Sequence, residues 1–117
     1  MQEIIVKKSR FAAYAAKIDS EDGAKAYIAE ISRQNKKARH VAFAYVLPGR
    51  ERHSDDGEPY GTAGLPILNS IQRREMENVA VVVARYFGGI LLGKGGLIRA
   101  YGKAAGAALE EMRSASS

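Results

Sequence analysis

The sequence predicts an α/β (α+β) fold, a two-layer sandwich in which a mixed sheet carries helices on one face. Short β-branched and aromatic runs at Arg10–Lys17, Val41–Leu47 and Asn78–Ala84 have the length and composition of strands. Three segments with apolar residues at helical spacing alternate with them. The 117 residues, 46% hydrophobic and 26% charged, suffice for a single core, so residues 1–113 are expected to form one domain with a disordered tail at Ser114–Ser117.

Ile4 to Ile18 suits one or two short strands broken near Lys7 to Ser9, the firmer of them Arg10–Lys17. Ser20, followed by Glu21 and Asp22, suits a helix start, where free N–H groups and the helix dipole favour oxygen and negative charge. That helix runs to about Asn35, with Ala24, Tyr27, Ile28 and Ile31 on one apolar stripe. Val41–Leu47 is a strand closed by Pro48 and Gly49, and Arg50–Tyr60 reads as a polar loop. A helix at about Leu65–Arg74 has Thr62 as its candidate cap and Pro66 in its first turn. The Val/Ala run at Asn78–Ala84 marks a central strand buried on both faces. A last helix, about Gly96–Met112, turns Leu97, Tyr101, Ala104, Ala108 and Met112 inward.

The net charge of +5 is unevenly placed. Ser32–Arg50 and Asn78–Leu109 contain cations and no acid, whereas carboxylates gather in Asp19–Glu30 and Glu51–Glu58. A positive face of this kind favours an anionic partner. The absence of cysteine excludes a disulfide framework, a thiol nucleophile and a Cys-based zinc site, and suits the cytoplasm. Met1–Arg10 carries Glu3, Lys7, Lys8 and Arg10 and lacks the apolar core of a leader or a membrane span, so no membrane association is expected.

Two motifs carry candidate chemistry. In R-Y-F-G-G-I-L-L-G-K-G-G-L-I-R-A-Y-G, from Arg85 to Gly102, a strand end, a loop with Gly88, Gly89, Gly93, Gly95 and Gly96, and a helix start would point backbone N–H groups at one spot. Arg99 would then join Arg85 and Lys94 around one anion, with Lys103 one turn further along the same helix face. The same glycines, and Gly102 with Gly106, equally suit close packing of helix on sheet. Gly88–Lys94 spells G-x-x-x-x-G-K, but Gly95 stands where a P-loop needs the Ser or Thr that binds magnesium, which argues against nucleotide hydrolysis.

The second motif is S-D-D-G-E-P-Y-G-T-A-G, Ser54 to Gly64. Asp55, Asp56 and Glu58 beside His53 could hold a divalent ion or do acid/base work, could close a turn through backbone N–H groups, or could orient a basic residue across the site. His40, after Arg39 at a strand entrance, suits either a phosphate contact or a capping role. Tyr60, Tyr86 and Phe87, beside glycines, are candidate stacking surfaces. No catalytic residue, metal or cofactor is assigned.

K-S-R-F at Lys8–Phe11, A-R-H at Ala38–His40 and these two long motifs in this order resemble the YigZ/IMPACT family over nearly the whole chain. Positions that the family usually fills otherwise are Val41, Tyr60, Leu65 and Lys94. The resemblance implies the fold of the second domain of ribosomal protein S-five and a role in translation regulation or nucleic-acid binding. It also implies a protein partner in translation control among eukaryotic relatives, and a ferredoxin-like C-terminal domain in bacterial ones that is absent from this chain. The expected function is non-catalytic binding of RNA or the ribosome through Arg39, His40, Arg85, Lys94, Arg99 and Lys103. A protein-interaction module and a metal-dependent hydrolase built on His53, Asp55, Asp56 and Glu58 are the alternatives.

Overall fold

The central strand is the Val-rich run, Val79–Tyr86, in which every residue but the last is buried. In chain order the computed structural model, which describes residues 1–116, contains β1 (Gln2–Val6), β2 (Ser9–Lys17), α1 (Glu21–Gln34), β3 (His40–Leu47), β4 (Arg50–Ser54), α2 (Gly64–Arg73), β5 (Val79–Tyr86) and α3 (Gly93–Ser116). The strands form one sheet in the order β1-β2-β5-β3-β4.

The α+β class stands, with two differences in arrangement. Every strand pair is antiparallel, so the sheet is not mixed. The helices occupy both faces. Ala42, Ala44, Val79, Val81 and Val83 pack with α2 and α3 in the main core, while Tyr45 and Ala80, which are register partners, pack with Ala24 of α1 on the opposite face. Period-two alternation in β3 separates small residues for the crowded α2/α3 side from Phe43, Tyr45 and Leu47 for the α1 side.

Two tight turns fix the hairpins. Lys7 and Lys8, at φ of 46° and 68°, join β1 to β2, matching the mirror-image turns that suit strand twist. Pro48 and Gly49, the latter at φ 73°, join β3 to β4. Arg50–Ser54, expected as the start of a loop, is therefore an edge strand paired to β3 from Leu47↔Arg50 to Phe43↔Ser54. Its sequence, RERHS, carries no apolar alternation because both of its faces are largely exposed.

Ser20 caps α1 as expected, its hydroxyl accepting from the Gly23 N–H at 3.0 Å. Thr62 does not cap α2: its hydroxyl donates to the Pro59 carbonyl at 2.6 Å. The first N–H groups of α2 go to Asp55, whose Oδ1 accepts from Ala63 at 3.1 Å and Gly64 at 2.8 Å. α3 starts earlier than its apolar stripe indicates, placing Gly93, Lys94, Gly95 and Gly96 in its first turn rather than in a loop. It also runs to Ser116, through most of the expected tail, while Ser117 lies outside the described residues.

Candidate functional site

β5 ends by delivering Arg85 beneath the turn that follows β4, where Glu58 points inward. Arg85 Nη1 donates to both Glu58 oxygens, at 2.9 and 2.8 Å. The two side chains are 7% and 2% exposed, so this is a buried ion pair. Tyr101 of α3 donates its hydroxyl to the same carboxylate. Burial, and then the hydrogen bond to Glu58, push the Tyr101 phenol far above its ordinary range, so it remains a protonated donor. The Phe11 ring meets Tyr101 edge to face at 5.1 Å and closes the network from below.

His40 completes the constellation. Its Nδ1–H donates to the Asp56 carbonyl at 2.6 Å, which leaves Nε2 3.6 Å from a Glu58 oxygen. Arg85 Nε, also buried, has no hydrogen-bond partner.

The rest of the acidic motif builds the turn that holds Glu58 in place. Asp55 Oδ2 accepts from the Gly61 N–H at 2.9 Å, in addition to the two N–H groups on Oδ1. Burial raises the Asp55 carboxyl, but backbone N–H groups of Gly61, Gly64 and Ala63 outweigh it and hold the group below its ordinary value. Asp56 Oδ2 accepts from the Val41 N–H at 2.6 Å, and its own N–H donates to Ser54 Oγ at 3.1 Å. Of the three roles open to this motif, turn closure falls to Ser54, Asp55 and Asp56, and orientation of a basic residue falls to Glu58. Among the described residues no group of three or more His, Asp or Glu gathers as metal ligands would.

The expected cations do not meet at one point. Arg39, Arg85 and Lys94 line a cleft of about 330 Å³ whose other walls are His40, Glu58 and the apolar Phe87, Leu91, Leu92 and Leu97. Arg39 lies over the Phe87 ring at 4.8 Å. Arg99 and Lys103 face away from it, lining with Lys7 a second groove of about 310 Å³, and with Arg73 an adjoining one. Leu92 stands between the first two, contributing to both. The split follows from helix geometry, since Lys94, Leu97 and Tyr101 share one side of α3 while Gly96, Arg99, Ala100 and Lys103 share another.

The glycines serve different purposes. A Cβ on Gly88 would fall 2.1 Å from the Lys8 backbone, so its bareness lets the β5 exit cross the β1–β2 turn. Gly89 and Gly93 have φ of 89° and 75° with open space around them. Gly95 lies under the Arg99 guanidinium, and Gly96 packs on Leu92. Gly102 and Gly106 sit where α2 crosses α3, beside Ser70 and Arg74. Tyr86 is not a free stacking surface: its hydroxyl donates to Asn35 and Arg10 covers its ring at 4.0 Å. Tyr60 is 97% exposed. Sequence reasoning missed Lys7 and Arg73, which lie outside the purely cationic windows, and Tyr101, which reads as an ordinary member of a helix stripe.

An antiparallel sheet closed by helices, with a buried ion pair beneath a cleft and basic grooves along one helix, defines a small α+β domain. The chain belongs to the family described as the Impact N-terminal domain, which matches residues 7–109. It is 47% identical over 105 residues to the IMPACT family member YvyE of Bacillus subtilis, covering 86% of this chain and 48% of that protein. To the IMPACT family member YigZ of Escherichia coli it is 40% identical over 112 residues, covering 92% and 55%. The chain thus spans about half the length of these curated relatives. Among solved structures it is similar to one titled as the crystal structure of a hypothetical protein, with a TM-score of 0.89 at 39% identity, covering 93% of this chain and 55% of that one. It is also similar to the two-domain translational regulator Yih1, with a TM-score of 0.58 at 32% identity over 91% of this chain and 45% of the other.

Proposed function

We propose that this is a regulatory domain of translation that binds RNA through the grooves beside α3. The observation that carries this reading is that Lys7, Arg73, Arg99 and Lys103 line two adjoining grooves and have no carboxylate within ion-pairing distance among the described residues. Unpaired cations in a row suit a phosphate backbone, whose contacts release counterions and supply affinity without reading bases. The translational role is supported by family membership and by likeness to Yih1, a two-domain translational regulator.

Four phosphate contacts to single-stranded RNA give log K falling against log salt with a slope of about −3. Anisotropy of a labelled single-stranded oligoribonucleotide over a salt series measures it. Arg99→Ala with Lys103→Ala is expected to flatten that slope by about 1.4. A flat salt response, or unaltered affinity in the double variant, overturns the reading.

A further inference from the structure

The cleft above Glu58 and Arg85 differs in chemistry from the basic grooves, and the proposed RNA contact does not use it. We propose that it is a binding site for a carboxylate carried on an aliphatic body, either a small organic acid or the C-terminal residue of a polypeptide.

Three features recognise the anion. Lys94 sits in the first turn of α3, where a cation opposes the helix dipole and no acidic residue offsets it, so helix stability does not account for it. Arg39 is exposed and has no carboxylate partner, and its stacking on Phe87 leaves the guanidinium N–H edge free for a planar, two-oxygen acceptor. Arg85, at the floor, adds positive charge from beneath: its Nη1 is held by Glu58 and its partnerless Nε is buried out of a ligand's reach. The lining therefore sets three permanent cations against the single carboxylate of Glu58.

The walls select the body. Leu91, 81% exposed, forms the open aliphatic wall of the cleft, and Leu92 and Leu97, buried in the main core, close its base. The phenyl wall, Phe87, already carries Arg39 at 4.8 Å and Arg85 at 5.5 Å, and the His40 ring is held edge-on by Asp56 and Glu58, so the cleft offers a nucleobase little ring face to stack on. A volume of about 330 Å³ lies at the small end of ligand sites and holds one aliphatic side chain with its carboxylate, not a helix or a folded element.

Two-dimensional NMR titration of the chain tests this with N-acetyl-leucine, N-acetyl-leucinamide, inorganic phosphate, and a short peptide ending in leucine as free acid or amide. Saturable shifts at Phe87, Leu91 and Lys94 are expected with the free acids only. Loss of one charge-assisted contact weakens binding about tenfold, so Lys94→Ala and Arg39→Ala should each do so, while Lys25→Ala on α1 should not. Leu91→Ala, at an exposed position, should weaken N-acetyl-leucine more than it weakens acetate, titrated as a carboxylate without the aliphatic body. Tighter binding of the free-acid peptide than of N-acetyl-leucine assigns the site to a polypeptide terminus; equal binding assigns it to a small acid. Absence of saturable shifts, equal binding of acid and amide, or equal binding of phosphate overturns the proposal. None of these outcomes touches the salt dependence of RNA binding.

Discussion

At the scale of single residues, the chain depends on groups whose partners lie far away in sequence. Glu58 and Arg85 are 27 positions apart and meet only when β5 passes beneath the β4–α2 turn. Removing one member strands a buried charge, so Glu58→Ala or Arg85→Ala should cost about 3–5 kcal/mol in chemical denaturation, whereas Glu58→Leu with Arg85→Met should cost much less. A carboxylate of the motif orienting a basic residue is among the alternatives the sequence leaves open, but nothing in the residue types singles out Glu58 and Arg85 as the pair. Asp55 is a local case with the same logic. Asp55→Ala removes the carboxylate that accepts from three backbone N–H groups before and at the start of α2 and should cost about 1–2 kcal/mol. Because its carboxyl titrates below the ordinary value in the fold, its contribution is complete above the unfolded pKa and is lost as pH falls through the lowered native one. Asp55→Asn should therefore unfold less steeply with acid, which an acid titration followed by circular dichroism measures.

At the scale of elements, what the sequence discloses depends on whether an element is amphipathic. α1 and β3 are legible because their apolar residues recur with periods of 3.6 and 2, β5 because its unbroken apolar run marks a strand buried on both faces, and Ser20 announces the first of them. β4 is not, since an exposed edge strand held by backbone pairing leaves no apolar trace. The start of α3 is hidden for a related reason: Gly93, Gly95 and Gly96 have low helix propensity, and the inward apolar stripe begins only at Leu97. The glycine run is likewise ambiguous by composition, because close approach and positive φ call for the same residue. The two separate by substitution. Gly88→Ala drives a methyl into the Lys8 backbone and should destabilise by about 2 kcal/mol or more. Gly89→Ala, at φ 89° in open space, should cost about 1 kcal/mol. Thermal melts of both variants check the order.

At the scale of the whole molecule, β5 is paired on both sides and buried on both faces, so its amides should be the last to exchange with deuterium. Those of β1 and β4, at the sheet edges, should exchange earlier; a uniform exchange pattern would contradict this layout. The separation of the cations into a cleft and a set of grooves is also a whole-molecule property. It was illegible in sequence because Arg85, Lys94, Arg99 and Lys103 fall within one acid-free window, and only the rotation of α3 sends them to different sides. Helices on both faces have one more effect. With its central strands covered, the sheet offers no bare platform on which bases could lie, and a polyanion in the grooves meets side chains that recognise charge spacing alone. Under the proposed RNA-binding role, discrimination among RNAs of equal length should then be slight, and any sequence selectivity would have to come from another surface.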